Sequence, residues 1–286
     1  MSLHGLLVLD KPSGITSRAA VDRAAKWFPR KTKIGHAGTL DPLATGVLVL
    51  AIGQATRLIE YVQAMPKVYR TRIRLGGTSD TDDADGTITV NTTADIVDES
   101  VVRDALTRFV GTVEQVPPAY SAAHVEGRRA HTLARQGEEV KLTARPVRID
   151  RIDMREYLWP SLEIDVFCGK GTYIRSIARD LGQALGVGGY VTELRRMSIG
   201  AFSVDNAVPL DVDAAAAQAK LLPLTTAVGH LPTIAITAEQ ARCVRMGQAI
   251  DVDGAGSVAA TDEAGHLVAI GTVANGRLRP DKVMVE

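Results

Sequence analysis

The chain has 286 residues, 45% hydrophobic and 23% charged, with a formal net charge of zero. That suffices for one large domain and a small one, and it excludes disordered and fibrous classes. No run of ~18 apolar residues occurs, so no membrane-spanning helix is expected, and two distant cysteines, Cys168 and Cys243, outside any Cys-x-x-Cys pair, argue against a disulfide framework or zinc site and suit a reducing cytoplasm.

In chain order, the apolar start at 4–9 reads as a buried strand; it lacks the basic leader and cleavage site of a signal peptide. Thr16 or Ser17 caps a helix through Phe28, which Pro29 stops. Residues 46–53 read as a buried strand and 55–64 as a helix. From Tyr69 to Leu75 the pattern alternates, with Tyr69, Thr71, Ile73 and Leu75 on one face and Arg70, Arg72 and Arg74 on the other, so a half-buried strand with a basic outer face is expected. Asp98 and Glu99 open a helix that ends before Gly111, their charge complementing its dipole. Residues 112–125, with Pro117-Pro118, read as strand and loop, and the polar stretch 126–145 as an exposed insertion. Paired strands follow at 147–155 and 162–168, then a turn at Gly169–Gly171, a helix from Thr172 to Leu185 and a small one at 211–220. A boundary near 225–232 precedes a short-stranded, Gly-punctuated β module. Strands without a regular βαβ rhythm imply an α+β class with a mixed, largely antiparallel central sheet and flanking helices.

Charge is unevenly spread. Residues 1–75 carry twelve Lys/Arg against four acids, whereas 76–100 carry seven acids and no base. This permits a basic face for a polyanion on a neutral protein, though taken alone it equally describes solvated surface charge.

The most informative segment runs from Gly35 to Gly46, GHAGTLDPLATG, with three glycines and a proline around Asp41. By residue type Asp41 is either a turn aspartate accepting backbone N–H bonds or, where a cation holds it ionised and oriented, a nucleophile. Several other motifs fail. Gly169-Lys170-Gly171-Thr172 lacks the Ser/Thr after its lysine and the upstream glycine of a P-loop. Asp80–Gly86 suggests a calcium loop, but placing Gly86 at the invariant glycine puts Thr92 where a bidentate glutamate is needed. The six histidines show no metal-ligand spacing, so neither metal nor cofactor is expected.

GHAGTLDPLATGVL closely resembles the catalytic motif of the TruB family of tRNA pseudouridine synthases, and further resemblances follow in order: Leu9-Asp10-Lys11-Pro12-Ser13-Gly14-Ile15-Thr16-Ser17, Lys67-Val68-Tyr69 through Leu75-Gly76, Pro117-Pro118-Ala119-Tyr120-Ser121-Ala122, Gly169-Lys170-Gly171-Thr172-Tyr173-Ile174-Arg175-Ser176, and Leu194-Arg195-Arg196. The resemblance implies a pseudouridine synthase fold over 1–228, with 126–145 as an RNA-clamping insertion, and over 229–286 a looser match to a PUA-like RNA-binding domain. That last segment has five bases against seven acids, which opposes strong RNA affinity.

The implied activity is conversion of uridine 55 in the tRNA T loop to pseudouridine by a cytoplasmic, monomeric enzyme without obligatory protein partner. The N1–C1′ bond breaks, the uracil turns and a C5–C1′ bond forms, which requires the base to be flipped out and water excluded. Asp41 is the implied catalytic aspartate, attacking C1′ or taking a ribose proton. By the same resemblance Tyr69, otherwise a core tyrosine, packs on the target base and is a candidate for the late proton transfer from C5. Arg175 pairs with Asp41, depressing its pKa. Tyr173 and Leu194 line the uracil pocket or are ordinary core. His36 fills the gap left in the RNA stack or is a backbone-bonded structural histidine. Lys11, Lys33 and the arginines of 126–145 are candidates for phosphate contacts. Rival readings are a guide-RNA-dependent synthase of H/ACA type, a non-catalytic RNA-binding or folding protein, and a nucleoside hydrolase that would release free uracil.

Overall fold

A computed structural model describes residues 3–121, 124–125, 128–129, 136 and 142–284. Its strands in chain order are β1 (Gly5–Lys11), β2 (Ile34–His36), β3 (Thr45–Ile52), β4 (Lys67–Leu75), β5 (Gly77–Ser79), β6 (Ile88–Val90), β7 (Gly111–Gln115), β8 (His124–Val125), β9 (Arg128–Arg129), β10 (Arg145–Leu158), β11 (Ser161–Cys168), β12 (Gly189–Ile199) and β13 (Phe202–Ser203). A nine-stranded sheet orders them β1-β3-β12-β4-β11-β10-β7, with β2 on β3 and β13 on β12. Every ladder is antiparallel except β12 on β3, which is parallel. The sheet is therefore mixed and largely antiparallel. Among the described residues no helix is long and apolar enough to cross a membrane.

The two apolar runs become β1 and β3 because both of their faces are covered. On one face Leu7, Leu9, Leu48 and Leu50 join Ile73, Ile164 and Val166 beneath the helices Ser17–Ala24, Glu99–Thr107 and Ile174–Ala184. On the other, Leu6, Val8, Val47 and Val49 pack with Leu58, Val62 and Val228 and with Ala259, Leu267, Ile270 and Met284 from the C-terminal region. That region forms its own five-stranded sheet from β14 (Thr233–Ala235), β15 (Ile250–Asp251), β16 (Gly256–Thr261), β17 (Leu267–Ala274) and β18 (Arg277–Val283). It holds a separate core around Val244, Val258, Val268 and Leu278. Lys282 pairs with Glu60 and anchors it to the main sheet's flank.

Helix ends follow the expected chemistry. The Thr16 hydroxyl accepts the Ala19 N–H, and the helix it caps ends at Ala24, passing into a tight 3₁₀ turn, Ala25–Trp27. The helix expected over 55–64 is a 3₁₀ turn, Gly53–Leu58, followed by the short helix Ile59–Ala64.

Two differences from the sequence reading matter. Strand β12, at the centre of the sheet, has no counterpart in it, because Glu193, Arg195 and Arg196 interrupt the apolar pattern. Tertiary partners supply what the pattern lacks: Arg195 forks onto both oxygens of Asp10 at 2.7 and 3.0 Å, and Arg196 turns to the buried face. Two of the three arginines on the outer face of β4 are also not free cations. Arg70 is bidentate on Asp165 at 2.8 and 2.9 Å, and Arg72 reaches Glu163 at 2.9 Å and Glu193 at 3.0 Å. These cross-strand acids come from β11 and β12. Each pair, more than a third exposed on its arginine, adds at most about 1 kcal/mol.

The helix Ile174–Ala184 lies against the turn before β12 closely enough that a Cβ on Gly182 would meet Gly188 C and Gly189 N at 2.1 Å. Backbone cannot yield as a side-chain tip can. Gly182→Ala is therefore expected to lower stability by about 1–3 kcal/mol in urea unfolding, with the transition's slope unchanged. An unchanged midpoint would mean that the helix rides away from the turn freely.

Candidate active site

The loop between β2 and β3 carries Asp41 and is held from below by the segment that follows β1. Lys11 is 0% exposed, and its ammonium donates to the carbonyls of Pro12 at 2.8 Å, Ile15 at 2.7 Å and Pro42 at 3.2 Å. The Ser17 hydroxyl donates to Leu40 O at 3.0 Å and accepts from Leu40 N at 2.8 Å. Gly14 N donates to Pro42 O at 2.9 Å, and Ser13 Oγ to Leu43 O at 3.1 Å. The residues on both sides of Asp41 are thus tied to one short segment. Gly46 ends the loop with φ +96°, and a Cβ there would meet Arg196 O at 2.3 Å, so only glycine fits.

Lys11 corrects the expectation of a phosphate contact. All its donors are turned inward onto carbonyls, and burial lowers its pKa to about 8, against the opposing pull of Asp41. It acts as a strut carrying positive charge near Asp41, not as a surface cation.

Above the loop sits Arg175, 4% exposed, in the first turn of the helix Ile174–Ala184. Its Nε lies 2.9 Å from Asp41 Oδ2, with the N–H directed off the oxygen, so the contact is an ion pair rather than an aligned hydrogen bond. Nη1 donates to Thr81 O at 2.8 Å and stands 3.4 Å from Asp83 Oδ2, while Nη2 donates to Tyr120 O at 3.0 Å. The acidic turn 80–86, rejected above as a calcium loop, therefore has a different use. Asp83, buried, accepts the Thr81 hydroxyl at 2.6 Å and the Asp85 N–H at 3.1 Å and is the second carboxylate on Arg175. One helical turn on, Arg179 pairs with Asp82 at 3.0 Å. Sequence reasoning missed Asp83; the seven acids and no base of 76–100 were the available signal.

The segment from β7 through Tyr120 is strapped to the same helix start. Gln115 donates to Tyr173 O at 3.0 Å and accepts from Tyr173 N at 2.8 Å, and Ser176 Oγ donates to Val116 O at 2.8 Å. Tyr173 is partly buried, its hydroxyl accepting from Arg145 at 3.0 Å. Leu194, 8% exposed, lies on β12 opposite Thr71 of β4. His36 ends β2, and burial lowers its pKa against an opposing backbone contact at Gly38, so it is neutral at physiological pH. Tyr69 lies on β4, where burial raises its phenol pKa and Arg196 opposes the rise. Its ionisation is further opposed by the charge of Asp41, which places the two side chains in one electrostatic environment. Asp41, Arg175, Asp83, Lys11 and Tyr69 thus converge, with Tyr173 and Leu194 on the elements that flank them. The clamp-like segment about 126–145 lies largely outside the described residues.

The pKa of Asp41 is raised, not depressed as expected from its arginine partner. Burial is the largest cause, and Asp83 adds to it; Arg175 and Lys11 pull the other way without cancelling it. A third of the side chain's own surface is open, but the protein packed beneath it, rather than that opening, sets its solvation. A folded-state pKa above the unfolded value means that ionising Asp41 costs stability. The cost is absent below the ordinary aspartate value of 3.8 and grows as pH rises to and through the raised value. Asp41→Asn is accordingly expected to leave the thermal midpoint unchanged near about pH 3 and to raise it at about pH 7. A fall at neutral pH would mean that the ion pair outweighs burial.

Known proteins resemble this chain in sequence and fold. The family pattern "TruB family pseudouridylate synthase (N terminal domain)" matches residues 26–174, and "tRNA pseudouridylate synthase B C-terminal domain" matches 175–228. The chain is 42% identical to tRNA pseudouridine synthase B of Corynebacterium aurimucosum over 93% of this chain and 91% of that one. It is 40% identical to the protein of the same name from Ruegeria sp., over 98% and 96%. Among solved structures, a chain of a Cbf5-Nop10-Gar1 complex is similar with a TM-score of 0.74 and 26% identity, covering 99% of this chain and 84% of that one. A chain of an H/ACA RNP bound to a substrate RNA containing 2′-deoxyuridine has a TM-score of 0.76 at 24% identity, covering 99% and 85%, and shares the fold.

Proposed function

The chain belongs to the TruB family of pseudouridylate synthases, and on that premise we propose that it converts uridine 55 in the T loop of tRNA to pseudouridine, with Asp41 as the catalytic carboxylate. It is a tRNA pseudouridine synthase, an isomerase. The observation that carries the assignment of Asp41 is its ion pair with the buried Arg175, on a loop tied down on both sides of the aspartate.

Cleaving N1–C1′ leaves positive charge at an anomeric carbon, as in retaining glycoside hydrolysis. An ionised Asp41 meets it either by attack at C1′ or by removal of a ribose proton; both routes need the carboxylate charged and fixed. Its raised pKa makes it a better base or nucleophile than an exposed aspartate, while Arg175 and Lys11 keep the charged form accessible. Asp83 is already engaged by Arg175, Thr81 and Asp85 N, so it acts on Arg175 rather than as a general acid. Tyr69 packs on the flipped uracil, Tyr173 and Leu194 line its pocket, and His36 takes the space that the base leaves in the RNA stack.

The segment about 126–145 holds the tRNA arm. Residues 1–228 constitute the catalytic domain and 229–286 a PUA-like domain, supported by a separate sheet and core; with two more acids than bases it guides RNA rather than gripping it. The enzyme acts as a monomer in the cytoplasm, where its tRNA substrate is. Relatives about 40% identical over nearly the whole chain bear the name of the tRNA enzyme, which favours it over a guide-dependent form.

The test is tritium release from tRNA labelled at C5 of uridine. Wild type should release label from one uridine, and Asp41→Asn should bind tRNA within a few-fold of wild type while losing turnover by several orders of magnitude. Turnover by Asp41→Asn at a rate near wild type would refute the assignment, and free uracil in place of pseudouridine would make the enzyme a hydrolase.

A further inference from the structure

Among the described residues Arg196 is the largest fully buried side chain. Its Nε donates to Val47 O at 2.7 Å, Nη2 to Gly38 O at 3.1 Å in the Asp41 loop, and Nη1 to the Tyr69 hydroxyl at 3.4 Å. Among the described residues no carboxylate pairs with it, unlike Arg70, Arg72, Arg175, Arg179 and Arg195. A buried cation facing only neutral groups is costly to hold, and it leaves a positive potential beside the Asp41 loop and the Tyr69 hydroxyl.

A guanidinium has donors and no acceptor. It must therefore meet a lone pair of the Tyr69 oxygen, which turns the hydroxyl's own hydrogen elsewhere. Among the described residues nothing accepts that hydrogen, and the raised pKa of the phenol keeps it in place. Tyr69 thus presents a proton, not a lone pair, to whatever enters. The chemistry that answers such a donor is a carbonyl oxygen gaining negative charge. Uracil provides it: as N1–C1′ breaks, the bonding pair leaves with N1 and spreads onto O2 and O4.

We propose that Arg196 is a positioning residue that makes the Tyr69 hydroxyl a hydrogen-bond donor to the departing uracil, stabilising the charge on its carbonyl oxygen. No proton changes hands in this step. The role differs from that of a proton acceptor at C5, which the family resemblance suggests for Tyr69. It rests on the pseudouridine synthase reading but not on the route taken by Asp41.

The experiment is single-turnover isomerisation of tRNA carrying protium or deuterium at C5 of the target uridine, by wild type, Tyr69→Phe, Arg196→Lys and the double variant. Tyr69→Phe should be slower by roughly 10²–10³-fold, the loss typical of one oxyanion donor. Arg196→Lys should be slower by about tenfold, with tRNA affinity little changed, and the double variant no slower than Tyr69→Phe alone. Neither single variant should acquire a C5 deuterium isotope effect, since the slowed step precedes C5 deprotonation. A primary isotope effect appearing in Tyr69→Phe would make the tyrosine a C5 proton acceptor and overturn the proposal, as would additive losses in the double variant. Should Arg196→Lys fail to fold, the isotope effect of Tyr69→Phe still decides, together with the ultraviolet titration of wild type minus Tyr69→Phe. That difference must show Tyr69 ionising above an ordinary tyrosine; a phenolate at neutral pH would sink the proposal. Loss of all activity in Asp41→Asn with these results intact separates the two readings.

Discussion

The site depends on keeping one carboxylate charged where solvation is poor. Burial and the neighbouring Asp83 both push Asp41 towards its neutral form, and Arg175 and Lys11 oppose them. Neither cation is itself well solvated, so each must be held by something else. Lys11 is held by three carbonyls, Arg175 by two carbonyls and two carboxylates. The charge on Asp41 is thus secured by a shell of backbone oxygens drawn from four distant parts of the chain.

That shell explains the short motifs at a mechanical level. The segment from Lys11 to Ser17 clamps Leu40, Pro42 and Leu43. The segment from Gln115 to Tyr120 supplies the carbonyl that fixes Arg175 and a side chain that fixes the backbone of Tyr173. The turn 80–86 gives Arg175 its second carboxylate and gives Arg179 a first. An ion pair between two residues on mobile loops would be worth little; between elements held this firmly it defines a geometry.

Strand β12 joins the two halves of the sheet. It pairs in parallel with β3, which ends the Asp41 loop, and antiparallel with β4, which bears Tyr69. Its successive residues serve opposite faces: Arg195 pairs with Asp10 on the outer face, and Arg196 reaches Gly38 and Tyr69 on the inner one. Two of the outer arginines of β4, Arg70 and Arg72, are answered by acids of β11 and β12, whereas Arg74 and the bases Arg18, Arg23, Lys26, Arg30, Lys31 and Lys33 stay exposed.

The primary structure by itself determined three strands around the site, because β1 and β3 are continuous apolar runs and β4 alternates. It also determined the Asp41 loop, because glycines at 35, 38 and 46 and Pro42 permit little else, and the six ordered motifs identified the family. Only the tertiary structure decided which way the charges act. Lys11 reads as a surface cation until its three carbonyls, one of them 31 residues away, are in place. Asp83 reads as one acid among seven until Arg175, more than ninety residues on in the chain, is brought against it. β12 reads as a charged connection until Asp10 and the Val47 carbonyl take up its arginines. The pKa of Asp41 could not be signed from its partner's identity alone, since burial, which is a property of the whole fold, outweighs the ion pair.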